Sequence, residues 1–183
     1  AGNTAVGFNA GLLISSGTGH TAVGSTALDA MTTGLNNTAV GTAALSAATG
    51  DNNTGIGFNA GLLLDSASSN VAIGAFALDA DVTGSACVAV GVNALGACTG
   101  ASNTAVGTTA GAGIVAGTVN VAVGASALAA STGSDNVAVG GQALGGPSNS
   151  ASANVAVGRD AGLAIASGTR HVAVGFEAIM SAI

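Results

Sequence analysis

The stretch Asn37-Thr38-Ala39-Val40-Gly41-Thr42-Ala43-Ala44-Leu45 returns almost unchanged as Asn120-Val121-Ala122-Val123-Gly124-Ala125-Ser126-Ala127-Leu128. The same pattern fills the rest of the chain. A [T/V]-A-[V/I]-G segment occurs eleven times, with Gly55 as its one departure. It ends at Gly7, Gly24, Gly41, Gly57, Gly74, Gly91, Gly107, Gly124, Gly140, Gly158 and Gly175, at spacings of 16 to 18 residues. The residue before this Gly is always Val or Ile, and the residue three after it is always Ala. Self-similarity at a fixed period marks a repeat architecture, in which one short unit stacks on the next.

A repeat of about 17 residues is too short for two helices and their loops, and it suits short strands joined by turns. The β-branched column favours a strand, and the Gly marks a bend or a close backbone approach. Ala and Leu would favour a short-helix repeat, but a Gly beside a β-branched residue in every copy argues against one. The expected fold is all-β: a parallel β-solenoid, or β-roll, of eleven repeats. It forms one repeat domain over residues 1–183 with no separate caps.

Four residues before the Gly stands Asn in eight copies: Asn3, Asn37, Asn53, Asn70, Asn103, Asn120, Asn136 and Asn154. His20, Cys87 and His171 take the remaining places. In stacked strands this column reads as a ladder, each amide resting on the one below.

A second period runs through the first. Four residues after the Gly stands Leu or Ile, except in every third repeat, where Gly11, Gly61, Gly111 and Gly162 replace it. Those repeats share an apolar continuation, as in Leu12-Leu13-Ile14 and Leu62-Leu63-Leu64. This super-period of about 50 residues fits two histories equally. Duplication copied three repeats at a time, or three repeats form one physical layer of a wide coil.

Side chains alternate across a strand. One face therefore carries Thr/Val and Val/Ile, and the other carries Asn and Ala. The Val/Ile columns are expected to fill the core, with the Ala and Gly columns permitting close packing. The alternation alone does not say which face is interior. Neither face is charged, and strands buried on both sides need a second layer. Either other chains or the far side of a wide coil would supply it.

Composition narrows the functions. The 183 residues include two Arg and no Lys, against eight acidic residues, for a net charge of −6. Two cations cannot track a phosphate backbone, so nucleic acid is not an expected partner. No apolar run is long enough to cross a bilayer, so membrane insertion is not expected. Asp29, Asp51, Asp79, Asp81 and Asp135 fall at turns, where they read as solvated residues that keep strand edges from sticking.

The quoted repeats resemble the head repeats of trimeric autotransporter adhesins (YadA-like) and the NTAVG-type repeats of phage and virus-like tail fibres. The resemblance covers essentially the whole chain. It implies a trimeric β-roll or β-solenoid acting as a shaft or adhesive head, outside the cell, on its surface or on a virion. It also implies a cell-surface or glycan ligand. The 17-residue repeat is longer than that usual in adhesin heads, and no stalk, membrane anchor or self-cleaving chaperone domain is visible within these residues.

Several residues stand as candidate sites. Cys87 and Cys98 lie eleven apart within one repeat. A two-strand roll would bring them together as a disulfide; otherwise they are two small buried thiols. No Cys-x-x-Cys motif suggests zinc, and His20 and His171 lie too far apart in the repeat to pair on a metal. The repeat gathers no nucleophile, base and orienting acid, so neither enzyme activity nor a cofactor is expected. Asn36-Asn37-Thr38 and Asn52-Asn53-Thr54 match the glycosylation sequon, but Asn-Thr is also simply the repeat. Thr4, Thr21, Thr38, Thr54 and Thr104 share a column that would suit ice binding, except that it turns to Val at Val71, Val88 and from Val121 onward. Ala1, Gly2, Met180 and Ile183 are the expected contacts if subunits stack end to end. The expected function is a non-catalytic fibre element that self-associates, most simply as a homotrimer. A self-stacking extracellular filament is the alternative, and an ice-binding solenoid the third.

Overall fold

The computed structural model describes residues 2–80, 83–146, 150–165 and 167–180. Ala1, Asp81 and Ile183 lie outside the described residues. Eleven three-residue strands follow one another: β1 (Thr4–Val6), β2 (Thr21–Val23), β3 (Thr38–Val40), β4 (Thr54–Ile56), β5 (Val71–Ile73), β6 (Val88–Val90), β7 (Thr104–Val106), β8 (Val121–Val123), β9 (Val137–Val139), β10 (Val155–Val157) and β11 (Val172–Val174). They form one parallel sheet in sequence order. The register never slips: Thr4 faces Thr21, Thr38 faces Thr54, and Val155 faces Val172. The chain is a β-solenoid in which each repeat makes one coil.

This pairing corrects one reading of the super-period. Each strand bonds to the strand of the very next repeat, so three repeats do not make one 50-residue layer. The turns stack as the strands do. Gly24 N–H donates to Val6 O at 2.8 Å, and Gly11 N–H donates to Ala27 O at 2.8 Å. The invariant Gly that closes each strand lies close against the backbone of the next coil. Gly107 has φ +134°, and a Cβ there would lie 2.7 Å from the carbonyl carbon and oxygen of Gly124 on the next coil.

The interior is narrow, and this decides which face turns in. The middle residue of each inner strand, such as Ala39, Ala89 or Ala122, is fully buried, while the flanking Val or Ile points out. The expectation that Val/Ile columns fill the core is therefore wrong. A coil of about 17 residues leaves room inside the strand for Ala only, while the larger core side chains come from the turn, so the strand Val and Ile lie on the surface. Gly55 marks the limit of that space. A Cβ there would lie 2.8 Å from Leu45 Cγ and 2.9 Å from Ala60 O.

The super-period has a packing role. In most coils the larger core side chain is the Leu four after the Gly: Leu28, Leu45, Leu78, Leu95, Leu128 or Leu144, all buried. Where that position is Gly, the residue three further on fills the space instead: Leu64, Ile114 or Ile165. Leu28 and Met31 fill both positions in one coil, but where Gly stands no side chain fits beside its neighbours. A Cβ on Gly61 would meet Leu45 Cδ2 at 2.6 Å and Leu64 Cδ1 at 2.8 Å. The six Leu hold φ between 49° and 51°. That left-handed backbone costs about 1–2 kcal/mol per residue. Burying each side chain contributes about 1.5–3 kcal/mol, so burial wins.

Candidate functional site: an uncharged sheet face backed by polar ladders

The outward face of the sheet is a lattice of β-branched side chains. In each strand the first residue is Thr or Val and the third is Val or Ile. No charged residue enters either column in any of the eleven strands. In the inner coils the third residue keeps about a third of its surface, 36% at Val23 and 39% at Val157. At the first and last strands, where one neighbour is missing, Val6 rises to 59% and Val174 to 68%. The inner values are thus those of side chains that touch their own copies above and below and have nothing in front. Phe58 and Phe76 border the face at its Gly edge, their rings meeting edge-on at 5.2 Å.

Charge is absent from the two strand columns but reaches the border, where Arg159 and Glu177 stand in the columns of Phe58 and Phe76. The Asp29 carboxylate accepts the Ser46 hydroxyl at 2.6 Å, and that of Asp51 accepts Leu35 N–H at 2.8 Å. Asp135 sits exposed at a corner with φ 60°. Partial burial pushes the Asp79 carboxyl above its ordinary range, against a backbone hydrogen bond that lowers it. Among the described residues no group of three or more His, Cys, Asp or Glu is placed to hold a metal ion.

Behind the face runs the Asn column, and it is interior. Asn37, Asn53, Asn70, Asn103, Asn120, Asn136 and Asn154 are buried, and Asn3 lies exposed in the first coil. Each of the eight accepts, through Oδ1, the backbone N–H of the column residue on the next coil, at 2.7–3.1 Å. Nδ2 donates to a backbone carbonyl of the next coil, as from Asn37 to Gly50 O at 2.9 Å and from Asn120 to Gly133 O at 3.0 Å. Within the column, and among the described residues, amide-to-amide bonds link Asn103, Asn120, Asn136 and Asn154, at 3.1–3.2 Å. The ladder therefore works chiefly between side chain and backbone, not amide on amide.

His20 keeps the ladder going, its Nδ1 accepting Asn37 N–H at 3.2 Å. Cys87 takes the donor's part. Its Sγ lies 3.3 Å from Gly100 O, and Cys98 Sγ converges on the same oxygen at 3.3 Å. Both cysteines are buried thiols in this structure. The fold thus brings the two sulfurs to one carbonyl in the core. The two sequon residues, Asn36 and Asn52, are exposed, one position before the buried ladder amides, and Asn36 Nδ2 donates to Asn52 Oδ1 at 3.3 Å. His20 and His171 sit at distant coils. Gly2 and Met180 are exposed at opposite ends of the stack.

A second ladder went unread in the sequence. Two residues before the Asn column, side-chain oxygens accept backbone N–H groups of the preceding coil: Asp51 N–H donates to Ser68 Oγ at 3.0 Å, Ser68 N–H to Ser85 Oγ at 3.1 Å, and Ser134 N–H to Ser152 Oγ at 3.1 Å. It runs with the opposite polarity to the Asn ladder. The signal was present, since that column holds Thr18, Asp51, Ser68, Ser85, Thr118, Ser134, Ser152 and Thr169. No family model, curated protein or solved structure matches the chain.

Proposed function

We propose that this protein is a non-catalytic structural fibre element, a shaft or repeat head outside the cell or on a virion, in which three copies pack side by side. The observation that carries this reading is the uncharged Val/Ile face running from β1 to β11. Eleven strands at about 4.8 Å give it a length of about 50 Å. A contiguous apolar surface of that kind marks an interaction site. Its rigid rungs repeat at the spacing of the same face on another copy, so a second copy presents a surface of matching period. Three such faces turned toward one axis would bury one another and leave the acidic corners in water.

The Thr column shares this face, and its replacement by Val at Val71, Val88 and Val121 suits an apolar contact better than a hydroxyl array. Axial load would be carried by the backbone ladders and by the Asn and hydroxyl ladders behind them. The test is Val106→Lys with Val139→Lys, both on the outer surface and away from the core. The double variant is expected to keep the β circular-dichroism signal and to fall to single chains. An unchanged association state would overturn the assignment of this face.

A further inference from the structure

His20 is the one imidazole locked inside the ladder, and its place there depends on which ring nitrogen carries the proton. The side chain is 1% exposed. Its Nδ1 lies 3.2 Å from Asn37 N, and a backbone N–H can only donate, so Nδ1 is the acceptor and the proton sits on Nε2. The ring copies the amide it replaces, with Nδ1 standing in for Oδ1. Among the described residues Nε2 has no hydrogen-bond partner. It is wedged beside Gly17, where a Cβ would lie 2.5 Å from it and 2.7 Å from Gly34 O.

We propose that His20 makes the junction between the second and third coils an acid-sensitive seam. A protonated imidazole has two donors and no acceptor. Nδ1–H would then face Asn37 N–H, donor against donor, and a charge would sit in the core. Among the described residues no carboxylate is bonded to the ring. Asn3 and Asn37 flank the ring along the ladder, bonded to His20 N–H through Asn3 Oδ1 and to Nδ1 through Asn37 N–H. Gly17 and Gly34 border it. The nearest carboxylates on these coils, Asp29 and Asp51, are engaged with Ser46 and Leu35 on the outer side. Among the described residues His20 and Asp160 are the buried side chains of imidazole or carboxylate kind, and Asp160 lies eight coils away.

His171, in the same column, is built the other way. Its Nδ1 lies 3.1 Å from Asn154 Oδ1, an oxygen already accepting His171 N–H, so this nitrogen donates and protonation leaves the contact intact. The seam is therefore specific to His20 and not a property of imidazole in the column.

Hydrogen exchange tests this directly, read at the amides that cross the seam: Asn37, Thr21 (to Asn37 O), Gly41 (to Val23 O) and Leu28 (to Ala44 O). Protection factors, corrected for intrinsic rates, are compared at about pH 7.5 and about pH 5, across the range where imidazoles titrate. In the native chain they are expected to fall at least about tenfold at the seam, the scale of one buried group left unpaired. Gly140, which bonds Val123 O far from the seam, should hold its protection. His20→Asn restores the amide and should abolish the fall, while His171→Asn should leave it in place. A native chain with no fall, or a fall that persists in His20→Asn, would overturn the proposal.

Discussion

Asn120 shows what a single ladder residue does. Its Oδ1 accepts Asn136 N–H at 3.0 Å, and its Nδ2 reaches Gly133 O at 3.0 Å and Asn103 Oδ1 at 3.1 Å. Removing the amide strands a donor and an acceptor in the core. Each buried polar group left unpaired costs about 1–3 kcal/mol. Asn120→Ala is therefore expected to lower unfolding stability by about 2–4 kcal/mol, measured by denaturant titration. A loss below about 0.5 kcal/mol, the range of ordinary surface changes, would mean that the ladder is not a source of stability. The Asn column was plain in the sequence because it recurs. Its partners were not, because the repeat spacing fixes which residues stack but not which backbone groups come within reach across the coil.

At the scale of the coil, the decisive feature is the closeness of successive turns. The Gly that ends each strand sits over the carbonyl of its successor. Gly107 combines a φ of +134° with an atom 2.7 Å from any Cβ, whereas a Cβ on Gly141 would find nothing nearer than Ala125 O at 3.9 Å. Gly107→Ala is expected to cost several kcal/mol, combining about 1–3 kcal/mol of backbone strain with displacement of the next coil. Gly141→Ala should be near neutral. Thermal melting of the two variants separates them, and equal melting temperatures would refute the close-stacking explanation of the invariant Gly. Here the sequence was half legible. Strand, turn and the eleven-fold repeat could be read from Val40-Gly41 and its copies. The inward face could not, because neither face is charged and period-2 alternation separates faces without naming them. The cross-section decided it: Ala39 fits within so narrow a coil and Val40 does not. The same limit explains the super-period, which is visible at Gly61 but intelligible only once Leu45 and Leu64 are seen filling the space a side chain there would need.

At the scale of the molecule, coils of one kind accumulate into a long uncharged face. Fold information is local and repeats, so stability is approximately a sum of coil and neighbour terms, and an acid-sensitive seam at His20 would loosen one junction without dissolving the rest. The face is a different matter, since among the described residues nothing covers Val23 through Val157. The proposed partner was legible only as a resemblance, because on that proposal the residues meeting the face belong to another copy. Light scattering of the native protein over a concentration series tests the fibre reading most directly. The expected result is a discrete particle of three chains, each of 16.6 kDa, that persists on dilution. A single-chain mass at every concentration would contradict it.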